Sequence, residues 1–340
     1  NFVDGEAMWQ FEPRVGERIF EDWAREAGVR IVRNQPLDRT KRGVEMAAGK
    51  VTAFRSRTGQ RFAGKVFIDA TYEGDLMAGA GVSFTVGREA NAQYGETLNG
   101  VQLKNTTNHQ FTLDIDPYRI PGDPTSGLVP RVSAERPAPD GTADSKIQAY
   151  TYRMCLTDVA ANRVPFARPQ GYDASQYTLL KRYMDAGYRN FFQKFDRIPN
   201  GKTDTNNFGA FSFDNIGMNY RYPEGSDAER AAIAREHTTY QQGLLWFMAN
   251  DPGVPAETRA EMSRWGLCKD EFTRSGNWPR EMYVREARRM VSDFVMAEPH
   301  LRGTSPTPRP VGMGSYNMDS HNVQRFVDDR GFVRNEGIIE

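Results

Sequence analysis

Residues Val66–Asp75 read VFIDATYEGD, and the expected fold turns on how this stretch is taken. Val66-Phe67-Ile68 is a continuous apolar run, the pattern of a strand buried on both faces of a sheet. It passes into the polar turn Thr71–Asp75 and then the small-residue segment Leu76–Gly81. Upstream, Val51, Ala53 and Arg55 lead into Thr58-Gly59, a turn signal, and Arg61-Phe62-Ala63 returns. A hairpin therefore feeds the apolar strand. An Ala70-Thr71 turn at that strand's carboxyl end lets the backbone approach a ligand closely, because small side chains do not obstruct it. Thr71 adds a hydroxyl, beside backbone amides, suited to phosphate or ribose.

This stretch resembles the second flavin-contacting strand of the large class of FAD-dependent oxidoreductases built like glutathione reductase, where a hydrophobic strand ends in Ala-Thr-Gly beside the dinucleotide. Ala70 and Thr71 match that pattern, and Tyr72 stands where glycine is usual. The hairpin around Thr58-Gly59 matches the meander feeding the strand in that class. The longer motif from Asp69 to Gln102 is similar to a bacterial FAD-dependent oxidoreductase family, as are YVREARRM at Tyr283–Met290 and GSYNMDSHNVQR at Gly314–Arg325. The likeness is weakest between Asp114 and Asp173.

The resemblance implies FAD and an α/β fold: a partial FAD-binding, glutathione-reductase-like domain with an inserted α+β substrate domain. The expected division is 1–105 and 305–340 for the flavin domain and 106–304 for the substrate domain. It also implies that Asp69, Ala70, Thr71, Glu73, Gly74 and Asp75 contact the cofactor. No G-x-G-x-x-G occurs; Gly312-Met313-Gly314 is the nearest approach and lacks a third glycine opening a helix. With abrupt ends at Asn1 and after Gly337-Ile338-Ile339, the expectation is an internal fragment, inactive alone, without the N-terminal glycine-rich unit and the C-terminal flavin segment.

Composition narrows the function further. The 340 residues carry 44 Lys and Arg against 44 Asp and Glu, a net charge of zero. Such a chain offers no long-range attraction to nucleic acid or an anionic membrane, and the cluster Arg285, Arg288, Arg289 is too small to change that. No apolar run reaches the roughly 18 residues that span a bilayer. Cys155 and Cys268 lack C-x-x-C spacing, which argues against a zinc site, a dithiol redox pair or a disulfide scaffold but leaves one long-range bridge open. None of the four histidines has metal-ligand spacing, so no metal is expected.

The remaining elements follow from periodicity and punctuation. Pro13 opens a helix in which Val15, Ile19, Phe20, Trp23, Ala24 and Ala27 recur, Gly28 stops it, and Val29–Val32 reads as a strand. Residues 114–145 read as a long irregular loop. A helix carrying Tyr177, Leu180, Tyr183 and Met184 is expected between a cap near Asp173 or Ser175 and Gly187. Ser226 and Glu229 form a capping box, after which Ile233, His237, Tyr240, Leu244 and Phe247 trace one apolar face. Pro255–Trp265 is a shorter helix closed by Gly266.

Asp319-Ser320-His321 is the expected catalytic pair. In a strand the two side chains share a face, so Asp319 would orient the imidazole of His321 while it takes a hydroxyl proton and hydride leaves for the flavin. The alternative is a histidine capping a helix at Asn322–Val327. Tyr283, Arg285 and Arg288 are candidates for binding a substrate carboxylate or phosphate, with Arg289 read as an edge residue. Arg88, beside Glu89 and Tyr94-Gly95-Glu96, either lines the cleft or braces a loop. The expected function is hydride transfer between a small organic substrate and flavin. The alternatives are a flavin monooxygenase, or a non-catalytic carbohydrate-binding surface protein using Trp9, Trp23, Trp246, Trp265 and Trp278, although Trp23, Trp246 and Trp265 read as core.

Overall fold

The computed structural model describes residues 9 to 339. The first part runs α1 (Pro13–Glu26), β1 (Val44–Ala47), β2 (Lys50–Arg55), β3 (Arg61–Ala63), α2 (Asp75–Gly79), β4 (Phe84–Thr85) and α3 (Asn91–Tyr94). The middle holds β5 (Met154–Thr157), β6 (Arg163–Val164), α4 (Thr178–Asp185), β7 (Phe195–Ile198), β8 (Lys202–Thr205), α5 (Asp227–Asn250), α6 (Ala256–Ser263) and β9 (Gly266–Cys268). Last come β10 (Arg289–Met290), α7 (Glu298–Leu301), β11 (Gln324–Val327) and β12 (Val333–Glu336).

The chain mixes helix and sheet, and every strand pairing among the described residues is antiparallel. β1-β2-β3 form the expected meander, while β6-β9-β5-β8-β7 form the largest sheet. β5 is buried along its whole length at the sheet's centre. The helical middle packs on it as periodicity requires: α4 buries Leu179, Leu180, Tyr183 and Met184, and α5 buries His237, Tyr240, Leu244 and Phe247. Asp173 caps the turn leading into α4, and Ser226 with Glu229 closes a reciprocal box at the start of α5. Residues 114–145 carry only one short turn of helix and isolated bridges. Val333 of the β11–β12 hairpin joins the same core as Leu156 and Tyr183, and its amide donates to Ile115 O at 3.0 Å. No described helix is long and apolar enough to cross a membrane.

Two expected strands are absent. Val66 and Ile68 are 78% and 83% exposed on an extended, unpaired segment, and only Phe67 turns inward, edge-on to Phe54 at 6.1 Å. Val29–Val32 is likewise unpaired and exposed. An apolar run becomes a buried strand only when neighbours complete its ladder, and no described strand lies beside either segment. The helix α1 forms, but Ile19, Phe20 and Trp23 face outward; Trp23, read as core, is 60% exposed.

Charge holds α1 in place instead. The ammonium of Lys202 is fully buried among Glu12, Asp270 and Glu271, at 2.5, 2.8 and 2.5 Å. Arg14 closes the cluster from the helix: its amide donates to Glu271 at 2.9 Å and its guanidinium meets Asp270 at 2.7 Å. Burial pushes the Lys202 ammonium down, but the surrounding carboxylates outweigh it and hold it above its ordinary value. Burial likewise pushes Glu12 up, and Lys202 and Arg14 outweigh it to hold the carboxyl below. Replacing Lys202 by Met leaves a surplus of buried negative charge, and we expect a loss of about 3–5 kcal/mol in urea unfolding at neutral pH. With the ammonium gone the buried carboxyls bind protons more tightly folded than unfolded. The variant should therefore gain more stability than wild type does as pH falls from about 7 to 5.

Candidate functional site

Asp214 lies in the segment 206–226 that joins β8 to α5, and it is buried. Its Oδ2 accepts from His321 Nδ1 at 2.7 Å and its Oδ1 from Arg285 Nη2 at 3.1 Å. Burial pushes the carboxyl up, but Arg285 and His321 outweigh it and hold it below the usual carboxylate range. An ionised carboxylate only accepts, so Nδ1 of His321 carries a proton and Nε2 is the nitrogen left to exchange one. The His321 amide donates to Gln148 Oε1 at 2.8 Å, fixing the residue just before β11. Arg285 also donates from Nε to Ala149 O at 3.0 Å and lies 4.7 Å over the Tyr283 ring. The Tyr283 amide donates to Thr151 O at 2.7 Å, which ties this segment to the strand entering β5.

Asp319 and His321 are brought together as the sequence suggests, with Nε2 to Oδ1 at 3.5 Å. Asp319 does not orient the ring, however; Asp214 does, from the opposite nitrogen. Nor does His321 cap a helix, since residues 324–327 are strand β11. Nothing periodic marks Asp214 in the sequence. The available signal is one acidic residue among Phe211, Phe213 and Ile216, a charge whose apolar surroundings demand partners.

The pair opens on a cleft of about 430 Å³ whose walls include Arg153, Asn207, Tyr283, Arg285, Asp319 and His321. Its cations are already matched: Arg153 Nε donates to Asp204 at 3.1 Å, Lys194 meets Asp196 at 3.0 Å, and Arg285 serves Asp214. Arg153 and Tyr283 are shared with a larger cleft of about 700 Å³ whose wall includes Tyr72. Arg153 and Tyr283 thus stand between the cleft that Tyr72 lines and the cleft that His321 lines.

In that turn Asp69 accepts from Thr71 N at 3.1 Å, Thr71 Oγ1 at 2.7 Å and Met77 N at 3.0 Å. Burial pushes Asp69 up, and these hydrogen bonds outweigh it to hold the carboxyl down. Gly74 sits at φ +64°, where an added Cβ would meet Met77 Cε at 3.0 Å. Glu73 accepts from the Tyr222 hydroxyl at 3.0 Å. Asp75 is held by Arg230 at 2.7 Å, Arg288 at 2.7 Å and Arg39 at 3.3 Å. The side chains of Asp69, Glu73 and Asp75 thus brace the turn, while Ala70, Thr71 and Tyr72 are exposed.

The four expected substrate residues separate. Tyr283 and Arg285 line the cleft. Arg288 reaches back to Glu73 O and Asp75, because β10 pairs with β4 beside the turn. Arg88 is buried between Asp144 and Glu336, each at 2.6 Å, the bracing arrangement.

The sequence profile of the FAD dependent oxidoreductase family matches residues 3–337. The chain belongs to that family. No curated protein and no solved structure matches it. Membership implies FAD as the cofactor of this oxidoreductase. The described residues fit one side of such a group. They offer an exposed Ala70-Thr71-Tyr72 turn, with the Thr71 amide and hydroxyl turned in to Asp69, and Tyr72 on the wall of the larger cleft.

Removing the Asp214 carboxylate in this FAD-dependent oxidoreductase strands Arg285 in the interior and leaves His321 without its anchor. Asp214→Ala should cost about 3–5 kcal/mol by thermal or urea unfolding. Because the folded carboxyl is depressed, its contribution is present at neutral pH and is lost as pH falls below the usual carboxylate range. The gap between wild type and Asp214→Ala should therefore close in acid.

Proposed function

We propose that this FAD-dependent oxidoreductase is an enzyme that oxidises a neutral, hydroxyl-bearing small molecule, with His321 as the base that takes the hydroxyl proton. The observation carrying this reading is the chain Arg285–Asp214–His321, whose free end, Nε2, faces the cleft beside Asp319. Asp214 holds the ring in the tautomer that can accept a proton, and its charge stabilises the imidazolium that results. Asp319, half-exposed at the cleft, then stands beside the protonated nitrogen. Bound FAD supplies the two-electron acceptor for the hydride leaving the same carbon.

The cleft favours a neutral substrate because its arginines and lysine already have carboxylate partners. Side-chain amides of Gln193, Asn206, Asn207 and Asn317 on the cleft wall would meet hydroxyl groups, and the ring of Tyr316 a ring face. We place Ala70, Thr71 and Tyr72 against the cofactor, and read the helical middle as a substrate domain inserted in a glutathione-reductase-like flavin domain. Of the tryptophans that the carbohydrate-binding alternative would use, Trp265 and Trp278 are buried, while Trp9 and Trp23 are exposed.

The test is anaerobic flavin bleaching of purified holoenzyme by a panel of sugars, polyols and hydroxy acids. Neutral polyols should reduce the flavin, and His321→Ala should slow the reduction by about 10²–10⁴-fold while keeping the bound-flavin spectrum. Equal rates in wild type and variant would remove His321 from the mechanism. Reduction by hydroxy acids alone would reject the neutral substrate. Reduction only by a nicotinamide, with oxygen consumed and a hydroxylated product, would establish the monooxygenase instead.

A further inference from the structure

The two cysteines are far apart in sequence and meet across the largest sheet. Antiparallel β5 and β9 set Thr157 opposite Gly266 and Leu156 opposite Leu267. One more step of that register sets Cys155 opposite Cys268. Directly opposed residues project from the same face with Cα atoms about 4.5–5.5 Å apart. A disulfide spans about 4.4–6.8 Å between Cα atoms. Both residues are buried free thiols here, in hydrogen-bonding contact with each other.

We infer that Cys155 and Cys268 form a cross-strand dithiol–disulfide site, closed by exchange with a disulfide oxidant as the chain folds. One thiolate attacks the oxidant's disulfide, forms a mixed disulfide and releases a thiol. The second thiolate then attacks the protein sulfur of that mixed disulfide and releases the oxidant's other thiol. Two protein thiols are oxidised and one disulfide is reduced to two thiols, with the protons passing to solvent and the leaving sulfurs.

Folding is the stage at which this can happen. In the closed sheet, the hydrogen bond to Cys155 and burial both push the Cys268 thiol up, so it is a poor nucleophile once the strands have docked. The same burial protects the finished disulfide from reductants. The bond would close the chain over residues 155–268, which hold α4, α5, α6 and the Asp214 segment. It would therefore staple the acid/base site to the sheet, independently of what the site oxidises.

The test is to produce the full chain in an oxidising periplasm and in a reducing cytoplasm, block free thiols under denaturing conditions, and map peptides without reduction. The oxidised preparation should yield the Cys155 peptide joined to the Cys268 peptide, two hydrogens lighter than their sum. It should melt roughly 5–10 °C higher than the preparation from the reducing cytoplasm. That difference should vanish in Cys155→Ala and Cys268→Ala. Recovery of both cysteines blocked, capped by a small thiol or joined between chains would overturn the inference, whatever the variants' stability.

Discussion

The carboxylate of Asp214 is the constraint on which the site depends. An ionised group taken fully out of water loses hydration worth several kcal/mol, and only strong partners on both oxygens offset that. Arg285 and His321 supply them. The three groups come from three remote segments: Asp214 from the link between β8 and α5, Arg285 from the approach to β10, and His321 from the residues before β11. Satisfying one buried charge therefore draws these segments together and fixes the tautomer of His321 at the cleft wall.

The same logic recurs at Lys202, where one ammonium gathers Glu12, Asp270 and Glu271 and pins the start of α1 beside β8. It recurs again at Arg88 and at Asp75, whose ion pairs tie the first hundred residues to segments near the carboxyl end and to α5. In the first part of the chain these polar clusters do the docking that apolar faces do in the middle. The apolar residues Ile19, Phe20 and Trp23 of α1, with Val66 and Ile68, lie outside while Lys202 and Arg88 are buried with their carboxylates. Such clusters are directional, and they define orientation where non-directional apolar contact would not.

Local signals were legible. The meander around Thr58-Gly59, the helix bearing Tyr183 and Met184, the Ser226–Glu229 cap and the loop of 114–145 all follow from turn chemistry, capping and period. The DATYEGD motif and its two companion patches were enough to indicate the flavoprotein family. Val66–Ile68 and Val29–Val32 were misread as strands because hydrophobicity states a preference for burial, whereas burial needs neighbours that no local pattern contains.

By itself the sequence determined the family, the cofactor class, the capped helices and the proximity of Asp319 to His321, since each rests on residues close together in the chain. Tertiary structure alone decided that Asp214 is the partner of His321 and that Arg88 and Arg288 are bound elsewhere. It also decided that Cys155 faces Cys268. These are pairings across long stretches of chain, and they are selected by the cost of leaving a charge or a strand edge unpartnered, which exists only once the chain has closed around it.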